Sequence, residues 1–129
     1  MSVELSNYGK TVALDAADEG FIHITKASEG YIANVDQWVN ENWNGKWEPS
    51  EVAVIFPEVN VSFGASSNTV GHLSKELEDD LAHKRSVIYM IGRVHYADIF
   101  PVKHTTTFCA YYQPDFDQME FCQGHNHAD

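Results

Sequence analysis

A mainly β fold with one or two short helices is what this chain predicts, on three observations. Apolar residues make up 43% of it and aromatics 12%, with three Trp, six Tyr and seven Phe, a composition suited to a packed, pleated interior. Period-two alternation of apolar and polar residues recurs along its length. The last third reads as three consecutive strands joined by two short loops, a meander of antiparallel neighbours. The alternative is an α+β arrangement, a curved antiparallel sheet covered by helices. At 129 residues the chain is one domain, with a single core that takes roughly two-thirds of the unfolded surface out of water.

Taken in order, Val3 and Leu5 alternate with Ser2, Glu4 and Ser6 as in a half-buried strand, and the Asn and Gly of N-Y-G-K form a turn. Residues 11–27 read as a second extended run with a bulge between Asp15 and Gly20. Val35, Trp38, Val39 and Asn42 then follow helical spacing, with Asn34 as the cap at the start and Gly45 at the end. Residues 51–63 return to β, and Pro57 marks an edge or a break because proline donates no ladder hydrogen bond. Leu73, Leu77 and Leu81 recur every four residues behind Ser74, an N-cap, and the acids gather in the first turns, where the helix dipole favours them. The run E-L-E-D-D on that helix reads as a solvated face. From Ser86 onward come the three strands of the meander.

Charge excludes several partners. The formal net charge is −11, with only eight Lys and Arg, whereas nucleic-acid binding draws most of its affinity from clustered cations; no nucleic-acid partner is expected. The same excess repels anionic lipid, and no apolar run approaches the ~20 residues that span a bilayer, so no membrane insertion is expected either. No basic segment followed by an apolar one opens the chain, which makes a soluble, cytoplasmic protein the default reading.

Register adds detail to the meander. A four-residue loop from Pro114 to Asp117 pairs Gln113 with Gln118, Tyr111 with Glu120 and Cys109 with Cys122. The opposite face then carries Phe108, Ala110 and Tyr112 against Met119 and Phe121, which reads as the core-facing set. Directly opposed cysteines permit a cross-strand disulfide with modest adjustment; whether it forms depends on the compartment. In the preceding hairpin, matching apolar faces sets Val94 opposite Phe108, Gly92 opposite Ala110 and Asp98 opposite His104 at a loop mouth. A carboxylate facing an imidazole there has a structural role, holding the loop closed.

The residues also resemble a family. Gly92, Val94, Tyr96, Asp98, Ile99, Phe100, His104, Thr106, Phe108 and Cys109, then Cys122, His125, Asn126 and Asp129, match a pattern close to G-x-V-x-Y-x-D-I-F-G-x-x-H-x-T-x-F-C followed by C-x-x-H-N-x-x-D. Asn7, Gly9, Lys10, Thr11 and Ala13 match N-x-G-K-T-P-A near the start. Both patterns resemble the C-terminal soluble domain of a group of uncharacterised bacterial proteins that are usually membrane-anchored. The resemblance implies an immunoglobulin-like β-sandwich, here as a free-standing copy, and no established activity. It also implies a shortened first edge, which a homodimer through an edge strand would complete. Val12 stands where the pattern has proline. Pro101 stands where it has glycine, so the loop is expected to close with another turn type.

The chemistry-bearing residues divide into weak and structural signals. Cys122, His125 and His127 suit zinc by type, yet no second closely spaced pair accompanies them, so no metal and no cofactor is expected. Residues 125–127 spell H-N-H without the ββα unit of the nuclease so nicknamed. No G-x-S-x-G elbow, P-loop or G-x-G-x-x-G occurs, so no catalytic residue is assigned. Trp38, Trp43 and Trp47 read as helix-to-sheet packing, with a ligand or partner surface as the alternative. The expected function is a noncatalytic binding or interaction module with a protein or small-molecule partner; the alternative is a small-ligand-binding or enzymatic α+β domain with an aromatic pocket.

Overall fold

The computed structural model describes residues 2–7, 10–43, 52–58, 60–64, 74–113 and 118–129. In chain order its elements are β1 (Ser2–Ser6), β2 (Ala13–Lys26), α1 (Val35–Trp43), β3 (Val52–Ile55), β4 (Asn60–Gly64), α2 (Lys75–Ala82), β5 (Ser86–Ala97), β6 (Lys103–Gln113), β7 (Gln118–Phe121) and β8 (His127–Ala128). The protein is mainly β. Its principal layer is a curled antiparallel sheet in the order β3, β2, β5, β6, β7, with β8 also on β6; β1 pairs with β4 in a separate two-stranded ribbon. Among the described residues no helix is long and apolar enough to cross a membrane.

Both helices begin where their caps predict. Asn34 Oδ1 accepts from the Gln37 N–H at 3.0 Å, and Ser74 Oγ accepts from the Leu77 N–H at 3.2 Å, each satisfying an amide that has no intrahelical partner. Val35 and Val39, one turn apart, are the buried residues of α1. α2 buries none of its residues, and its acids Asp79 and Asp80 pair with Arg85 just beyond the helix. Gly45, Trp47, Leu73 and the loop 114–117 lie outside the described residues. Pro57 sits in the turn between β3 and β4, which join different sheets.

The predicted bulge falls in the first turn of pairing on β2. Its partners shift by one residue between Leu14 and Ala17 against β5, and between Ala13 and Ala16 against β3. Asp15, at φ 50°, is the extra residue. Because side chains alternate along a strand, that insertion lets Ala13 and Ala16, three apart, enter one cluster with Ile55 and Tyr96.

The β6–β7 register is the predicted one, with Gln113 opposite Gln118 and Tyr111 opposite Glu120. The β5–β6 register differs by two residues: Gly92 lies opposite Phe108, Val94 opposite Thr106 and Tyr96 opposite His104. A Cβ on Gly92 would stand 2.7 Å from the Glu19 carbonyl oxygen and closer still to the Phe108 ring. The ring occupies the space above the glycine, and this sets the register that apolar matching alone had placed two residues away.

The core lies on the other face from the expected one. Val87, Tyr89, Ile91 and Cys109 are buried beneath Val35 and Val39, with Ile32, Trp38, Trp43, Tyr111 and Cys122 packed around them. Met119 and Phe121, expected inside, are 42% and 78% exposed. The reason is α1, which docks on the cysteine face of β5 and β6. The opposite face is buried further along the sheet, at Met90 and Val94. The Tyr89 hydroxyl accepts from the Ile32 N–H at 3.0 Å and ties the entry of α1 to the sheet; burial raises that phenol's pKa.

Candidate functional site

The turn after β1 and the β5–β6 hairpin meet at one end of the sheet and enclose a pocket of about 390 Å³. Asn7 builds one wall. Its Nδ2 donates to the carbonyls of Thr11 at 2.8 Å and Ile55 at 3.1 Å, and its own carbonyl accepts from the Glu58 N–H at 2.9 Å. Side chain and backbone of this one residue thus hold the segment after β1, the end of β3 and the stretch that follows it together. Val12, Ala13, Ile55 and Val94 supply apolar surface, and Tyr96, Thr106, Asp98 and His104 supply polar groups.

Asp98 shapes the opposite wall. Its Oδ1 accepts from the N–H groups of Phe100 at 2.8 Å and Val102 at 3.0 Å, while its own N–H donates to the Val102 carbonyl at 3.0 Å. These bonds close the five-residue loop and leave Ile99, Phe100 and Val102 exposed at its tip. Within the same loop Pro101 stands at φ 29°, away from the ring's preference near −65°. The loop therefore keeps a glycine-type conformation where a different turn was expected. The Val102 amide first, then the Phe100 amide and His104, holds the Asp98 carboxyl below the usual carboxylate range.

His104 Nε2 stands 3.4 Å from Asp98 Oδ2, and its Nδ1 stands 3.4 Å from Asp129 Oδ1. The ring stacks on Tyr96, with centroids 5.1 Å apart and planes 23° apart. Asp129 in turn accepts from the Thr105 N–H at 2.8 Å. Tyr96 and Thr106 were not singled out as site residues from the sequence. Their signal was their membership of the motif-bearing stretch from Gly92 to Cys109, which lines this pocket opposite the first motif.

The tail has structural partners. Cys122 and Cys109 lie at disulfide distance, with Cα atoms 5.4 Å apart. His125, which suits zinc by type, is 7% exposed, and its Nδ1 lies 2.7 Å from Asp36 Oδ1 on α1; its Nε2 is buried with no hydrogen-bond partner among the described residues. Asn126 Oδ1 accepts from the Cys109 N–H at 2.9 Å, and its Nδ2 faces the carbonyls of Cys109, Cys122 and Gly124 at 3.2, 3.0 and 3.0 Å. His127 pairs with Thr107 in the sheet and is exposed. Among the described residues no group of three or more His, Cys, Asp or Glu is placed to hold a metal ion.

Two further groups lie on the α1 face. Glu19, nearly buried, pairs with Arg93 and stands 3.6 Å from His95 Nε2, and the other nitrogen of His95 meets Thr105 Oγ1 at 2.9 Å. Trp38 packs on His23 with ring centroids 4.4 Å apart, and burial lowers the His23 pKa. Beside them runs a shallow depression lined by Trp38, His23 and Tyr31, with Trp43 outside it. No family model, curated protein or solved structure matches the chain.

Proposed function

We propose that this domain is a noncatalytic binding module and that the pocket between the β1–β2 turn and the β5–β6 hairpin receives its ligand. One observation carries the reading: Thr11, Tyr96 and Thr106, whose hydroxyls have no hydrogen-bond partner among the described residues, line a space of about 390 Å³ together with apolar side chains. Small-molecule sites combine such walls with a few placed polar groups in cavities of roughly 300–1,000 Å³. The histidines and acids nearby are engaged in holding loop and tail, which suits binding more than turnover.

The same reading takes the domain as a relative of the soluble domain of the bacterial membrane-anchored group and its β1–β4 ribbon as part of an immunoglobulin-like sandwich. Its support is that Asn7, Thr11 and Ala13 from one motif meet Val94, Tyr96, Asp98, His104 and Thr106 from the other around the pocket. A bonded Cys109–Cys122 pair and a homodimer that completes the shortened first edge belong to it as well; β7, four residues long with Phe121 exposed, is a further edge of the described sheet.

The test is a fragment screen by amide-resolved NMR. Binders should shift the signals of Thr11, Tyr96 and Thr106 together, and Thr106→Trp, which fills the pocket, should abolish the shifts in a protein whose spectrum remains dispersed. Fragments that bind undiminished to that variant would place the site elsewhere.

A further inference from the structure

We infer that the pocket takes a small organic cation, a primary amine carried on an apolar body. This rests on the pocket being the binding site and names what it selects. Asp98 is the reason. Its Oδ1 is committed to two loop amides, but among the described residues Oδ2 has one polar partner, His104 Nε2, at 3.4 Å, beyond the usual 2.7–3.2 Å of an N–H···O bond. An ionised carboxylate offers about four acceptor sites, so Oδ2 keeps capacity toward the space it lines. An ammonium brings three N–H donors, and the hydroxyls of Thr11, Tyr96 and Thr106 supply acceptors that none of the described residues uses.

The remaining features act in the same direction. Among the described residues no Lys or Arg lines the pocket, so no permanently charged cation among them competes with the ligand. Val12, Ile55 and Val94 form the surface for the apolar body. The net charge of −11 raises the concentration of cations near the surface and lowers that of anions. A carboxylate ligand would meet Asp98 without a compensating charge. A neutral ligand would leave its second oxygen poorly satisfied, which costs discrimination in a polar site.

The experiment compares 2-phenylethylamine with its neutral isostere 2-phenylethanol, each titrated into the ¹⁵N-labelled protein at neutral pH. The amine should shift the amides of Thr11, Tyr96 and Thr106 with an affinity at least ten-fold above the alcohol's. Asp98→Asn should bring the amine down to the alcohol and leave the alcohol unchanged, and Thr106→Val should weaken both. Raising the salt concentration should weaken the amine alone in the unmodified protein, which gives a reading independent of whether the Asp98 variant folds. Equal binding of the two probes, or a preference that survives Asp98→Asn, overturns the cation assignment and leaves the pocket standing as a site. Pocket signals unmoved by both probes but moved by other fragments overturn it too. Signals unmoved by every fragment remove the binding-site reading with it.

Discussion

Replacing Asn126 should destabilise the protein by about 1–3 kcal/mol, through a single buried amide. The β6 ladder has a gap at Cys109, between the last β7 pair, Ala110 with Phe121, and the first β8 pair, Thr107 with His127. Cys109 is fully buried, so its N–H cannot turn to water, and Asn126 Oδ1 fills the gap at 2.9 Å. The Asn126 amide acts there as a piece of strand, accepting on one side and donating on the other. Asn126→Ala leaves that N–H unsatisfied, at the usual cost of about 1–3 kcal/mol for a buried orphan. The three carbonyls facing Nδ2 cost less, because the Cys109 carbonyl also accepts from the Cys122 N–H at 3.0 Å and Asn126 itself is exposed. Asn126→Asp separates the two halves of the role: it keeps the acceptor but turns a charged oxygen toward three carbonyls, and should be at least as damaging as alanine. Urea midpoints at constant slope measure both, and hydrogen exchange at the Cys109 amide reports the mechanism directly. An alanine variant within about 0.5 kcal/mol of the parent, the range of ordinary surface changes, or an aspartate variant as stable as the parent, would refute the strand-mimic account.

Three other outcomes are expected. Gly92→Ala should cost about 1–3 kcal/mol by overpacking, since its Cβ would overlap the Glu19 carbonyl and the Phe108 ring; an unchanged urea midpoint would mean that β2 and the ring give way freely. The Asp98 carboxyl is held below its ordinary value by the Val102 and Phe100 amides and by His104, so its stabilisation is complete above the unfolded value, about 3.9, and is lost as the pH falls through the lower folded value. The stability gap between the parent and Asp98→Asn should therefore be widest near neutral pH and shrink below about pH 4; a gap constant from pH 7 to pH 2 contradicts this. Intact mass should rise by two hydrogens on reduction if Cys109 and Cys122 are bonded, and an unchanged mass means free thiols in that preparation.

The sequence was legible where local rules decide. Asn34 and Ser74 announced their helices because caps act within three residues, and the four-residue gap after Gln113 set the β6–β7 register because turn length and alternation agree. The β5–β6 register escaped because a period of two is blind to a shift of two; the tie was broken by the Phe108 ring over Gly92, a contact that apolar matching does not score. The core face escaped because both faces of β6 carry apolar residues, and only the docking of α1 chooses between them. At the candidate site, the stretches lining the pocket were visible as motifs while their convergence was not. The tail looked like a set of ligands because Asp36, the Cys109 amide and Thr105, which its residues reach, lie 89, 17 and 24 positions away.

The bulge at Asp15 gives the pocket its wall by arithmetic. Beyond it, even-numbered residues of β2 share the face of Val94, as Asp18 does opposite it; before it, the count is inverted, so Ala13 comes round to that side and joins Tyr96. Asp15 works as a one-letter frameshift in space. Deleting it would leave Ala13 and Ala16 two apart, in regular alternation on the cavity side, so the wall would survive the loss; keeping all residues but forcing them into regular pairing would turn Ala13 to the helix-covered face and offer Leu14 to the cavity in its place. The bulge thus absorbs one extra residue without moving the wall.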